Sequence, residues 1–142
     1  KPGVEDFTRR LARYYPAEWT LFSPPKGAAT LSASALKKKE SEMILGQLTK
    51  DDYLVALDER GREFSSEGLA RFIQTRANSS NKNLVFLIGG AFGLDESLLQ
   101  RADHRWSLSQ LTLPHQLVRL VLAEQLYRAC TILCFQLPIV RG

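Results

Sequence analysis

The sequence predicts an α/β fold, a mostly parallel sheet with helices on both faces. Short apolar runs, Asp52–Leu57 and Leu84–Ile88, alternate along the chain with segments of helical period. That alternation is the pattern of βαβ units. Both runs are apolar without a polar-apolar alternation, as strands covered on two faces are. Each is closed at once by turn chemistry: Asp58-Glu59-Arg60-Gly61 after the first and Gly89-Gly90-Ala91-Phe92-Gly93 after the second. At 142 residues, 44% of them hydrophobic, the chain can bury a core of its own, and 1–142 is read as one domain.

The elements follow in order. Val4–Tyr15 is an amphipathic helix: Phe7, Leu11 and Tyr14/Tyr15 recur at spacings of three and four, and Pro16 ends it. Trp19–Phe22 reads as a short strand, closed by the Pro24-Pro25-Lys26-Gly27 cluster. Ser34–Gln47 is a helix with Lys37, Lys38 and Lys39 on a basic face and Leu36, Met43 and Ile44 on an apolar one. After the strand at Asp52–Leu57 and its turn, Ser65-Ser66-Glu67-Gly68 opens a helix that buries Leu69, Phe72 and Ile73. After the strand at Leu84–Ile88 come a helix at Glu96–Ala102, a short strand at Trp106–Leu108, a loop at Ser109–His115 and a last helix from Gln116 to about Leu133.

Composition excludes several classes. No apolar run reaches the roughly 20 residues a spanning helix needs, and the opening Lys1–Asp6 lacks the apolar core of a signal peptide. Cys130 and Cys134 form neither a disulfide framework nor a metal-ligand spacing, so no metal is expected; a reducing, cytoplasmic setting is. The net charge is +4, with excess positive charge in residues 1–50 and 105–142 and an acidic excess in 51–104. A basic surface attracts polyanions such as RNA, although a charge of this size also suits an ordinary soluble surface.

In parallel sheets ligands lie outside the carboxyl ends of the strands, so the loops after Leu57, Ile88 and Leu108 are the candidate site. The glycine turn at 89–93 is neither a phosphate loop nor a dinucleotide fingerprint. Taken alone it is either a close approach of backbone to a ligand or a tight strand-to-helix turn. The loop holding Leu108, Leu111 and Leu113 is unusually apolar. Either these leucines wall a slot for a flat ring whose polar edge is read by main-chain groups, or the loop packs against the sheet. The last helix is apolar over most of its circumference and needs cover on more than one side, for which a second subunit is the preferred reading over a central helix of a monomer. His115 is a candidate acid or base or a structural hydrogen-bonder. Arg128 can pair with Glu124 four residues earlier. Cys130 and Cys134 read as small buried side chains.

Taken together, Leu84-Val-Phe-Leu-Ile-Gly-Gly-Ala-Phe-Gly-Leu94, Trp106-Ser-Leu-Ser-Gln-Leu-Thr-Leu-Pro-His115, Glu124-Gln-Leu-Tyr-Arg-Ala129 and the turn Asp58–Glu67 resemble the RlmH family. These are SPOUT-class methyltransferases that act on a pseudouridine of large-subunit ribosomal RNA. The resemblance implies an α/β sheet whose C-terminal part threads a deep trefoil knot, a topology that chain-connection rules alone would reject. It implies S-adenosylmethionine as methyl donor, held by Leu57, Gly89, Leu108, Ser109, Gln110, Leu111, Thr112 and Leu113. It also implies a homodimer with the last helix in the interface, and ring nitrogen 3 of the pseudouridine as acceptor, in rRNA or the assembled ribosome. His115, Arg128 and Arg141 are the candidates to ease loss of the acceptor's proton. Lys37–Lys39, Arg9, Arg10 and Arg13 are the candidates for RNA phosphates.

Two departures accompany the resemblance. The family opens with an apolar strand before its first helix, whereas this chain starts almost at that helix. The family closes on a Pro-Tyr-His tail, whereas here Pro138 is followed by Ile139-Val140-Arg141-Gly142. The second departure favours an alternative, a non-catalytic RNA- or ribosome-binding module that retains the cofactor pocket.

Overall fold

A computed structural model describes residues 2–15, 17–20, 27, 30, 32–79, 83–89, 94–109, 111 and 113–136. The chain forms two compact units, one from Lys1–Trp19, Glu63–Ser80 and Leu108–Gly142, the other from Thr20–Arg62 and Asn81–Ser107.

The first unit is helical. It contains α1 (Pro2–Leu11), α3 (Ser66–Ala77) and α5 (His115–Gln136), with α5 packed against both others. The α3 helix starts where predicted: Ser65 caps it by accepting the Gly68 N–H at 2.9 Å. Leu69, Ala70 and Ile73 form its buried stripe, while Phe72 is half-buried and packs its ring 5.2 Å from Phe64. The Ser66 hydroxyl donates to Gln125 Oε1 of α5 at 3.0 Å. On α5, Leu122, Ala123, Ala129, Cys130 and Leu133 are buried and Leu117 is 41% exposed.

The α1 helix is shorter than its periodicity predicts. It ends at Leu11, and the Tyr14 and Tyr15 N–H groups both donate to the Leu11 carbonyl, at 2.9 and 3.1 Å. The residue before a proline avoids the helical region, so the influence of Pro16 is felt upstream of Tyr15. The predicted strand at Trp19–Phe22 is absent at Trp19 and Thr20, while Leu21 and Phe22 lie outside the described residues. The Trp19 indole instead donates to Thr8 Oγ1 on α1, at 2.9 Å.

The second unit holds the sheet. Its elements are α2 (Ala33–Leu45), β1 (Asp52–Arg62), β2 (Asn83–Leu87), α4 (Glu96–Arg101) and β3 (His104–Trp106). The strand order is β2-β1-β3 and both pairings are parallel, which bears out the predicted sheet. Leu54, Leu87 and Leu98 form its core, with Ile44, Leu45, Leu48, Val85, Leu94 and Ala102 packed around them. Leu54 and Leu98 are almost wholly buried, and burying each such side chain is worth about 1.5–3 kcal/mol.

The amino ends of all three strands are tied by polar side chains. Asp52 accepts the Thr49 N–H and the Asn83 side-chain amide, each at 2.9 Å, which joins the first residues of β1 and β2. Asp103, just before β3, exchanges two 2.8 Å bonds with Leu54: its N–H donates to the Leu54 carbonyl, and its carboxylate accepts the Leu54 N–H. Arg101 donates to that carboxylate at 3.2 Å and to the carbonyls of Thr49 and Asp52, both at 3.1 Å. Charge-assisted bonds of this kind are the stronger class.

Three strands differ in their bounds from prediction, the least being β2, which runs Asn83–Leu87 rather than Leu84–Ile88. The third strand is His104–Trp106 rather than Trp106–Leu108, because His104 and Arg105 already pair with Val55 and Ala56. The first strand does not stop at Leu57. Trp106 pairs with both Leu57 and Arg62, so Asp58–Gly61 is a bulged excursion inside one strand instead of its terminating turn.

Candidate active site

A 2-1-3 strand order has its topological switch point between β1 and β3, and ligands of open parallel sheets lie outside the carboxyl ends at such a point. The register locates it: Ala56 pairs with Leu87 and Leu57 with Trp106. The chain therefore leaves the sheet through Ile88-Gly89 on one side of Leu57 and through Ser107 on the other. Leu57, Ile88 and Gly89 are half-buried, and Ser107 is 2% exposed. Its N–H donates to the Arg62 carbonyl at 2.7 Å, which closes the excursion. Gly90–Gly93 lie outside the described residues.

Gly61 makes that closure possible. A Cβ there would stand 2.7 Å from both the carbonyl carbon and oxygen of Arg105 and 2.9 Å from the Trp106 nitrogen, all backbone atoms that cannot swing away. Asp58, the first residue of the excursion, is 12% exposed. Its Oδ1 accepts the Arg60 N–H at 3.3 Å, and its Oδ2 is buried without a hydrogen-bond partner. Local turn chemistry marks Asp58 as an ordinary turn residue; its burial follows from the strand's return at Arg62, which no local pattern announces.

In the loop leaving β3, Leu108, Ser109 and Leu113 are half-buried and Leu111 is 73% exposed. The Leu111 N–H donates to Ser109 Oγ at 3.0 Å. So exposed a leucine is not itself a core anchor of the loop. Gln110 and Thr112 lie outside the described residues.

His115 is the first residue of α5. Arg128 is 54% exposed and paired with Glu124: Nη2 lies 2.6 Å and Nε 2.9 Å from Oε2, while the other carboxylate oxygen accepts from Gln125 at 2.7 Å. The hydrogen bond, and then the charge of Glu124, raise the Arg128 pKa further, so it is a permanent cation. Arg141 lies outside the described residues.

Arg9 and Arg10 both lie near Asp6, at 3.9 and 3.1 Å, and the Arg10 guanidinium also sits 5.8 Å from the ring centres of Phe7 and Tyr127. Arg10 is thus partly committed to packing. Arg13, Lys38 and Lys39 are exposed and Lys37 is half-buried. Among the described residues, no group of three His, Cys, Asp or Glu side chains is placed to hold a metal, and no helix is long and apolar enough to cross a membrane.

This architecture accompanies a match of residues 1–136 to the family model described as "Predicted SPOUT methyltransferase". Three relatives share the name Ribosomal RNA large subunit methyltransferase H. The one from Cytophaga hutchinsonii is 44% identical over 133 residues, covering 94% of this chain and 85% of the relative. That from Geotalea daltonii is 42% identical over 131 residues, with 92% and 84% covered. That from Clostridioides difficile is 40% identical over 132 residues, with 91% and 83% covered. The chain belongs to the RlmH family of SPOUT methyltransferases.

Proposed function

We propose that the protein transfers a methyl group from S-adenosylmethionine to large-subunit ribosomal RNA, with ring nitrogen 3 of a pseudouridine as acceptor. The observation that carries the donor assignment is the kind of groups gathered for it. By the family resemblance the donor set is Leu57 and Gly89, just past the last paired residues Ala56 and Leu87 of β1 and β2, together with Leu108, Ser109, Gln110, Leu111, Thr112 and Leu113. These residues supply main-chain donors and acceptors, apolar walls and no charged side chain. That set fits a neutral purine and the aliphatic groups around a sulfonium, and it does not fit a string of phosphates. When bound, the donor supplies a methyl group already activated on a sulfonium.

The remaining work falls to the chain. The leucines exclude water, and the main chain fixes the reacting carbon against the acceptor nitrogen, a proximity effect. Loss of the acceptor's imide proton is eased by nearby cations or a base, and His115, Arg128 and Arg141 take that part. In this reading Arg128 is oriented by Glu124. The rRNA assignment rests on the relatives' shared name, and the pseudouridine acceptor on the family resemblance. The same reading includes a deep trefoil knot in the C-terminal part, a cytoplasmic setting and a homodimer. The dimer is supported by apolar side chains left in contact with solvent in the helical unit: Tyr14, Tyr15, Trp19 and Leu117, each about 40% exposed.

The test is transfer of radiolabelled methyl from S-adenosylmethionine to large ribosomal subunits, with the product mapped by nucleoside digestion. Label on N3-methylpseudouridine is expected. Donor binding without transfer would overturn catalysis in favour of the binding module. Gly89→Trp should abolish donor binding in calorimetry; retained affinity would remove Gly89 from the donor site.

A further inference from the structure

The excursion in β1 and the start of β3 enclose an open hollow of about 360 Å³, lined by Arg60, Gly61, Arg62, Asp103, His104 and Arg105. Three of its six lining residues are arginines, in the stretch of chain whose overall balance is acidic. The fold brings them together: residues 60–62 and 103–105 are some forty positions apart, and the close approach of Gly61 to the Arg105 backbone joins them.

Of the acidic groups nearby, Asp103 is engaged, and Asp58 is nearly buried with one oxygen bonded and the other without a hydrogen-bond partner. Asp103 takes the Leu54 N–H and Arg101, and Asp58 takes the Arg60 backbone, with the Arg60 Nε at 3.6 Å. Arg105 donates its Nε to the Leu99 carbonyl at 3.3 Å, and its Nη2 lies 3.9 Å from Glu96, a long pairing at an exposed site. Arg62 has no ion-pair partner among the described residues, and its charge acts on His104. Burial, and then Arg62, lower the His104 pKa below its usual 6.5, so the hollow's charge at neutral pH comes from its arginines. The hollow also adjoins the switch point, since Arg62 pairs with Trp106 and accepts the Ser107 N–H at the start of the donor loop.

We infer that this hollow binds the sugar-phosphate backbone of the RNA substrate, with Arg60 and Arg62 on phosphate oxygens and Arg105 forming the floor. Planar guanidinium forks suit phosphate oxygens, and such interactions position a nucleic acid without reading its sequence. The inference rests on the rRNA methyltransferase reading and adds where the strand is gripped beside the reacting edge.

The test is filter binding of large-subunit ribosomal RNA by the whole protein across a salt series, with calorimetric S-adenosylmethionine affinity measured in parallel. Arg60→Gln and Arg62→Gln should each weaken RNA binding about threefold to tenfold and flatten the salt dependence by roughly one ion for each arginine neutralised. Donor affinity should stay unchanged, and Arg62→Lys should restore the salt slope because it restores the charge. Unchanged RNA affinity and slope in the Arg60→Gln/Arg62→Gln double variant, with wild-type RNA binding intact, would overturn the hollow and leave the methyltransferase reading standing. Failure of the wild-type protein to bind either the free RNA or the large ribosomal subunit would overturn the rRNA reading and the hollow with it.

Discussion

Replacing Gly61 with alanine tests the excursion that shapes the candidate site. Gly61 is not in the left-handed region, so the new residue meets no backbone strain. The cost is steric overlap alone: the methyl would stand 2.7–2.9 Å from three backbone atoms of β3. Relieving that overlap means separating the excursion from β3, an overpacking cost of about 1–3 kcal/mol. Separation also stretches the 2.7 Å bond from the Ser107 N–H to the Arg62 carbonyl. Ser107 is buried, so losing this bond adds about 1–3 kcal/mol. Alanine returns about 0.4–1 kcal/mol by stiffening the unfolded chain. The expected loss is about 1–5 kcal/mol, read as a lower denaturation midpoint with unchanged slope, at matched protein concentration. A variant within about 0.5 kcal/mol of wild type would refute the close packing of Gly61 on β3.

Two further predictions concern titration and reactivity. The Thr49 N–H, and then the Asn83 amide, hold the Asp52 carboxyl below its usual 3.8, so the ionised form is the one the fold favours. The stability advantage of wild type over Asp52→Asn should be full above that value and vanish as pH falls through the lowered native one; an acid-denaturation gap independent of pH would contradict it. Burial pushes the Cys130 thiol up from 9.0 to about 11. In a Cys134→Ser background, a disulfide reagent at pH 8 should modify the native protein about 100-fold more slowly than a free thiol, and denaturant should restore the rate.

The sequence disclosed most where information is local. Ser65 caps α3 and Leu69 and Ile73 line it, because capping and helical period are set within a few residues. The strands β1 and β2 are visible in the runs Asp52–Leu57 and Leu84–Ile88, the second shifted by one residue from its observed bounds. What escaped depends on distant pairing. Asp58-Glu59-Arg60-Gly61 has turn chemistry, and only the return of Arg62 to Trp106 shows that the strand resumes. His104 and Arg105 look unlike strand residues until they pair with Val55 and Ala56. Trp19 has high strand propensity, but its indole is engaged by Thr8. Of the proposed donor residues, Leu57 and Gly89 stand out because strand ends can be read from composition. The arginine-lined hollow does not, since its halves are remote in the chain. Arg128 reads both as a catalytic candidate and as the partner of Glu124; the structure shows the pairing.

The lashings of Asp52, Asp103 and Arg101 all sit where the strands begin. They tie the end of the sheet opposite the exit loops, although Asp103 also lines the arginine hollow. The exit loops are therefore spared the task of holding the strands in register, and are at liberty to vary with what they must recognise. Damage at the two ends should look different to a geneticist: lesions in the lashings deplete the protein, whereas lesions in the exit loops leave it abundant and idle.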